Sequence, residues 1–254
     1  MPSRPTLLQI FGERCSGTNY VAQLLRRNLF GVQLTDAFGW KHGWPDRVTG
    51  STEQCLFVVV HRDPFAWAQS LHRQPWHAAP ALRDLPFDRF VRAPWWCCWG
   101  QDMELAADDS RAGTEMLHER DPATGERFAD ILRLRTAKLR AWLALETRVR
   151  HFAVVRYEDA LRQPGQVVRG IANRTGLRRW PWLRGVHTVK GGKDPFVARA
   201  EQPFAPADIA WIASAVDREL ESRLGHDVSV RVASLRAATP AAAGMPQSAR
   251  SNVG

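Results

Sequence analysis

Apolar residues along the chain fall into blocks whose period alternates between that of a strand and that of a helix. Thr6 to Phe30, TLLQIFGERCSGTNYVAQLLRRNLF, opens as a short apolar strand, turns between Gly12 and Gly17, and continues as an amphipathic helix from near Thr18. A short candidate strand lies around Val32 to Thr35. Cys55 to His61, CLFVVVH, is a continuous β-branched run of the kind covered on both faces in a parallel sheet. Ala66 to His72 then reads as a helix with Pro64 in its first turn. Ala129 to Arg148 sets Ile131, Leu132, Leu139 and Trp142 at helical spacing among arginines. Phe152 to Val155 is a short strand, Pro164 to Thr175 a helix stopped by Gly176, and Pro206 to Leu224 a helix ended by Gly225. The alternation predicts an α/β fold with a central, mainly parallel sheet and helices on both faces.

From Gln74 to about Phe128 this pattern lapses into proline, aromatic and charged residues, including WWCCWG at Trp95 to Gly100, which predicts a helical or irregular lid insertion. Beyond Asp227 the sequence suggests a weak strand, then an Ala/Ser/Pro tail from residue 237 to 254 expected to be disordered. Residues 1–236 are expected to form one domain. No signal-peptide pattern and no run of membrane-spanning length is visible, so the expectation is a cytoplasmic protein. Four cysteines, Cys15, Cys55, Cys97 and Cys98, lack metal-ligand spacing and fit a reducing compartment. The net charge of +9 points to an anionic partner, but arginine supplies nearly all of it and no basic stripe with regular aromatic interleaving stands out. That disfavours nucleic acid as the partner.

The first block has the layout of a phosphate-binding loop. Gly12 and Gly17 permit a tight turn, and the following helix aims its N–H groups and positive dipole end back at it. Its residues narrow the ligand. A Walker A loop ends in Gly-Lys-Ser/Thr, whereas Gly17 precedes Thr18 and Asn19, a poor fit to ATP hydrolysis. No arginine follows Cys15 closely enough for a cysteine phosphatase, and the dinucleotide fingerprint is absent. What remains is a loop for phosphate-like groups around Ser16-Gly17-Thr18, or an ordinary strand-to-helix turn. Arg62 follows the strongest strand at its carboxyl end, the edge where open α/β sheets bind ligands. FGWKHGWP at Phe38 to Pro45 and the glycine-rich basic loop VKGGKDPF at Val189 to Phe196 are further candidates for site loops.

Taken in order, these pieces resemble the sulfotransferases that use 3′-phosphoadenosine 5′-phosphosulfate (PAPS). GERCSGTNY resembles their 5′-phosphosulfate loop, and VVVHRDPFAWAQS their 3′-phosphate motif, in which a strand ends in Arg and a Ser follows eight positions later, as Arg62 and Ser70 do. KHGWP falls where soluble members carry a catalytic histidine; RYEDALRQP and ELESRLGH resemble later segments of the family. The resemblance covers Leu7 to about Asp227. It implies a P-loop-like three-layer sandwich with PAPS as sulfuryl donor and no metal. It further implies that Arg14, Cys15, Ser16, Gly17, Thr18 and Asn19 surround the 5′-phosphate. Arg62 and Ser70 would hold the 3′-phosphate, with a looser contribution from Lys190 and Lys193, and Tyr20 and Tyr157 would line the adenine pocket. One position departs from the family: the basic residue before Ser-Gly-Thr is Cys15, with Arg14 one place earlier, so Arg14 with help from Lys41 is expected to stabilise the leaving group. A helix N-terminus would favour a Cys15 thiolate, but passive packing is the reading preferred for Cys15.

Sulfuryl transfer needs in-line alignment, charge stabilisation and, for a hydroxyl acceptor, a base. His42 is the candidate base; His61 reads as a packed histidine, and His72 and His77 as surface or lid residues. Trp40, Trp44, Trp76, Trp95, Trp96 and Trp99 are expected either to wall an acceptor site or to form the core of the lid. The acceptor expected is a small molecule or glycan, with a small aromatic, a lipid-like alcohol, a sugar hydroxyl and a tyrosyl peptide all open. The alternatives are a small-molecule kinase on a related sheet and a non-catalytic nucleotide- or nucleic-acid-binding protein.

Overall fold

The run CLFVVVH is buried at every position because it has a neighbour on each side and helices above and below. In the computed structural model, which describes residues 4–100, 105–106, 108–188 and 192–238, it forms β3 (Cys55–His61). With β1 (Leu7–Phe11), β2 (Gln33–Leu34) and β4 (His151–Arg156) it makes a four-stranded parallel sheet in the order β2-β1-β3-β4. Leu8 pairs with Leu56 and Val58 with Ala153, so the pleats of the three longer strands are in step. Alternation then sorts the side chains. Leu8, Ile10, Leu56, Val58 and Val155 pack on one face against α1 (Thr18–Asn28), α6 (Tyr157–Arg162) and α7 (Pro164–Thr175). Phe11, Phe57 and Val59 pack on the other against Leu139 and Trp142 of α5 (Ile131–Leu143).

Helix boundaries follow from local chemistry. Asp63 caps α2 (Pro64–Arg73) by accepting from Ala66 N–H, with Pro64 in the first turn, and buried Asp130 caps α5 by accepting from Leu132 and Arg133 N–H. Gly176 ends α7 at φ 69°, the left-handed conformation glycine adopts without penalty. The segment after α2 contains two single-turn helices, α3 (Pro80–Arg83) and α4 (Phe87–Phe90), and bridges pairing Ala78 with Cys97 and Trp95 with Phe128. It is well packed: Leu82, Phe90, Val91, Trp95, Cys97 and Met116 share a core with α2 and with the start of α5.

Two expectations are corrected. The helix expected over Pro206 to Leu224 is two, α8 (Pro206–Ala215) and α9 (Arg218–Arg223), because Val216 turns extended and Asp217 caps a new start by accepting from Leu220 N–H. The weak strand expected beyond Asp227 is helix α10 (Val228–Ala238), which covers the first residues of the expected tail; residues 239–254 lie outside the described residues. Among the described residues no helix is long and apolar enough to cross a membrane.

The strand order reverses between β1 and β3, so the chain leaves these two neighbours in opposite senses and opens a crevice at their carboxyl ends. Both the Gly12 to Gly17 turn and Arg62 begin there. The caps are expected to matter unequally: D130A, which strands two N–H groups in a buried place, should cost about 1–2 kcal/mol, and the more exposed D217A about 1 kcal/mol or less. Urea denaturation reads both, and an unchanged D130A midpoint would contradict the cap.

Candidate functional site

The loop after β1 is shaped by two close approaches. A Cβ on Gly12 would lie 2.4 Å from the Val60 carbonyl oxygen, and one on Gly17, at φ +92°, would lie 2.1 Å from the Tyr157 ring. Any side chain at either position would lift the loop off β3 or push Tyr157 away. Between them Cys15 adopts φ 62°, and the other left-handed non-glycine among the described residues is His77, also at φ 62°. Both line one cavity of about 940 Å3 at the carboxyl edge of the sheet, so the backbone strain is concentrated there. A smaller recess of about 330 Å3 lies at the opposite edge, beside His151 at the start of β4.

Within the loop, the Glu13 carbonyl accepts both the N–H and the hydroxyl of Ser16, at 3.1 and 2.6 Å. The buried Ser16 hydroxyl, expected to face an anion, is therefore used to hold the turn. Gly17, Thr18, Asn19 and Tyr20 line the cavity, and among the described residues nothing in the protein accepts from their backbone N–H groups. Asn19 Oδ1 accepts from the Lys41 ammonium at 2.6 Å, which brings that charge to the same helix end.

Arg62 and Ser70 line this cavity too. Arg62 lies 5.0 Å over the Tyr157 ring and donates from Nη1 to the Cys15 carbonyl at 3.2 Å, which ties the strand end to the loop. Arg73, one turn beyond Ser70 on α2, and Arg199 complete a group of three guanidiniums in the wall, none ion-paired among the described residues. The Arg73 pKa is held below its ordinary value, first by burial and then by repulsion from Arg62 and Arg199. Cations crowded this way favour a multiply charged anion. Tyr20 meets Tyr157 edge to face at 6.1 Å and Phe196 at 4.8 Å, giving the cavity an aromatic side.

His42 is buried on the cavity wall with Nδ1 2.6 Å from the Gly12 carbonyl oxygen. A carbonyl only accepts, so Nδ1 carries the proton and Nε2 keeps the lone pair. Burial first, then the nearby charges of Arg14 and Lys41, lower its pKa well below the usual histidine range and keep the ring neutral. Trp40 lies between His42 and His77, with 5.2 Å between ring centroids on either side.

Arg14 is among the residues that line the cavity, and its guanidinium is engaged by protein partners. Only 1% exposed, it donates from Nε to His77 Nδ1 at 3.1 Å and from Nη2 to Glu119 at 2.9 Å. Glu119 also accepts from Lys138 at 2.6 Å, and Glu13 lies 3.6 Å from both cations. Burial alone would raise the Glu119 carboxyl, but Lys138 and Arg14 hold it at about 2. At Cys15 burial outweighs Arg62 and pushes the thiol up to about 11, which favours passive packing over a thiolate. Lys193 is exposed and not in the wall, and Lys190 lies outside the described residues. The strap from Pro195 to Arg199 supplies that side of the cavity.

Of the tryptophans, Trp40 and Trp76 line the cavity, while Trp95 belongs to the packed core. Of the two histidines expected at the surface or in the lid, His77 lies in the segment after α2, buried in the cavity wall, and His72 lies beneath that segment, hydrogen-bonded to the Leu85 carbonyl. His61 is packed, with Nδ1 2.8 Å from Nε2 of buried His226. Arg73 was findable from the sequence, three residues after Ser70 on the same helix face. Arg199, Phe196 and the Glu13, Glu119 and Lys138 group had no periodic signal.

The buried histidines set a pH dependence. Burial lowers the pKa of His61 well below the usual range and that of His226 to about 3, as it also lowers His42. The folded protein keeps all three neutral while the unfolded chain protonates near pH ~6.5. Stability is thus full above that pH and lost as pH falls below it. Between pH 6.5 and 5.5 the loss should be about 1 kcal/mol for each histidine, roughly 3 in all. Urea midpoints at the two pH values measure it, and no change would show that the rings charge in place. Compared with protein-family models, with curated proteins and with solved structures, the chain matches none.

Proposed function

We propose that this protein is a PAPS-dependent sulfotransferase acting on a hydroxyl or amine acceptor. The observation that carries the reading is that a helix N-terminus with free N–H donors and a separate group of guanidiniums, Arg62, Arg73 and Arg199, line one cavity beside a neutral histidine. Adenosine 3′-phosphate 5′-phosphosulfate carries two anionic ends on one nucleoside, and few metabolites demand such a pair of sites. The parallel sheet and the strand-loop-helix start also support a P-loop-like three-layer sandwich, with residues 74–128 as lid. Free thiols at Cys15, Cys55, Cys97 and Cys98 fit a cytoplasmic setting.

In this reading the N–H groups of Gly17 to Tyr20 hold the 5′ end, and Arg62, Ser70, Arg73 and Arg199 hold the 3′-phosphate. Tyr20, Tyr157 and Phe196 flank the adenine. Bound PAPS supplies an activated sulfuryl group; the chain supplies alignment, a base and charge. His42 Nε2 takes the acceptor proton, with the Gly12 carbonyl holding its tautomer. Its depressed pKa makes it a weak base in the free protein, and negative charge beside Lys41 offsets the cations that depress it. Lys41 balances charge at the leaving phosphate, a role expected of Arg14 with help from Lys41. Arg14 instead shapes the loop from below. Trp40 and Trp76 form the acceptor side.

Adenosine 3′,5′-bisphosphate should raise the melting temperature strongly, with little response to ATP and magnesium or to single-stranded DNA. R62A should weaken the bisphosphate by about 10- to 100-fold, the loss of one or two charge-assisted hydrogen bonds. A stronger response to ATP would favour a kinase and reject the assignment. H42A should bind the bisphosphate as wild type does yet transfer roughly 10²- to 10⁴-fold more slowly. Full turnover by H42A would remove the base from His42.

A further inference from the structure

A second basic surface lies far from the cavity, and it is built differently. α1 starts at the cavity and, at 11 residues, carries the chain about 16 Å away before ending in exposed Arg26 and Arg27. Against that end packs the loop Leu177 to Arg184, LRRWPWLR, locked in place by main-chain bonds from Phe30 to Arg178 and from Trp180 to Asn28. Buried Asn28 completes the lock, accepting from Arg184 N–H at 2.7 Å and donating to the Arg184 carbonyl at 2.9 Å. The loop is thus a fixed projection. It exposes 61% of Trp182, 44% of Leu183 and 37% of Phe30.

Around this apolar tip stand Arg178, Arg179 and Arg184, all exposed, with Arg26 and Arg27 beside them. None of the five forms an ion pair among the described residues. Some surface arginines, such as Arg111, Arg120 and Arg127, hold a carboxylate, and others, such as Arg169, Arg174 and Arg223, do not among the described residues; what sets the five apart is their grouping around exposed apolar side chains. Unpaired arginines gathered around protruding hydrocarbon match a surface that is anionic at its rim and apolar beneath.

We infer that this face docks the protein peripherally on a bilayer with anionic headgroups, Trp182 and Leu183 entering the interface and the arginines meeting lipid phosphates. The ring geometry favours a bilayer over a nucleic-acid strand. Trp180 is already covered by Arg184 at 3.8 Å and by Phe30 at 4.4 Å, and Phe30 has Arg178 at 5.8 Å, so among Trp180, Phe30 and Trp182 only Trp182 keeps an open face, too little for successive bases to stack. Leu183 offers a base nothing but offers lipid a hydrocarbon branch. Because the cavity lies at the other end of α1, docking leaves its mouth open to water.

Flotation of the full chain with vesicles tests this. Binding is expected to vesicles containing roughly 30% phosphatidylserine at about 0.1 M salt, weakly or not at all to phosphatidylcholine alone, and to fall as salt rises. W182S/L183S should reduce binding at least about 10-fold, and each of R178E, R179E and R184E about 5-fold or more. Circular dichroism and melting temperature confirm that each variant is folded, and the serine pair decides should an arginine variant fail. Absence of flotation by the wild type, or undiminished flotation by W182S/L183S, would overturn the inference. So would binding of a single-stranded oligonucleotide that depends on these residues without vesicle binding. All of these outcomes are independent of whether the cavity binds PAPS.

Discussion

Beneath the loop after β1, four charges are removed from water together: Glu13 and Arg14 from the loop, Glu119 from the segment after α2, and Lys138 from α5. Desolvating one such ion costs several kcal/mol, and the group is tolerable because its charges sum to zero and Glu119 receives two short charge-assisted bonds. Its geometric effect reaches further. Lys138 also donates to the His42 carbonyl at 2.6 Å, and Arg14 turns its carbonyl to the Trp67 indole at 2.7 Å. Loop, histidine, α2, α5 and the segment of residues 74–128 are therefore pinned to one buried point. A hydrophobic plug of equal volume could hold these elements together, but it would not fix the rotation of each about the others.

Local patterns were legible in the sequence where one stretch decides the outcome. β3 is legible because seven consecutive residues are all suited to burial on both faces, and the loop because its glycines and the following helix are contiguous. Arg62 and Ser70 sit on one strand end and the next helix, so their proximity follows from spacing. What stayed hidden depends on partners distant in sequence. Nothing near Arg14 announces Glu119, 105 residues away, and without that carboxylate an arginine beside a phosphate loop reads as a ligand contact. The C-terminal helix misled for another reason. Its start, VSVRV, has the two-residue period of a strand, yet Asp227 caps it by accepting from Ser229 and Val230 N–H, and Val228 and Leu235 bury themselves in the core shared with α8. Capping and a seven-residue interval prevailed over alternation.

The excess of positive charge is not spread evenly. Some surface arginines are neutralised locally; those without a carboxylate among the described residues include the three in the cavity wall and the five at the far end of α1 and its loop. A field shaped this way draws anions toward two separate places and repels them from neither, which is a statement about encounter rate as much as about affinity. Whole-chain charge conceals this division, since +9 would be equally compatible with a uniform basic coat.

The strap from Pro195 to Arg199 borders the cavity and is fastened at identifiable points. Phe196 N–H donates to the His187 carbonyl at 2.8 Å, and Gln69 exchanges two hydrogen bonds with Gln202 at 2.8 and 3.0 Å. Phe196 itself rests on Tyr20. These few bonds set how firmly the strap borders the aromatic side of the cavity. On the proposed reading, exchange of the nucleotide would depend on how often the strap lifts, and egress rather than bond making could set the rate of turnover.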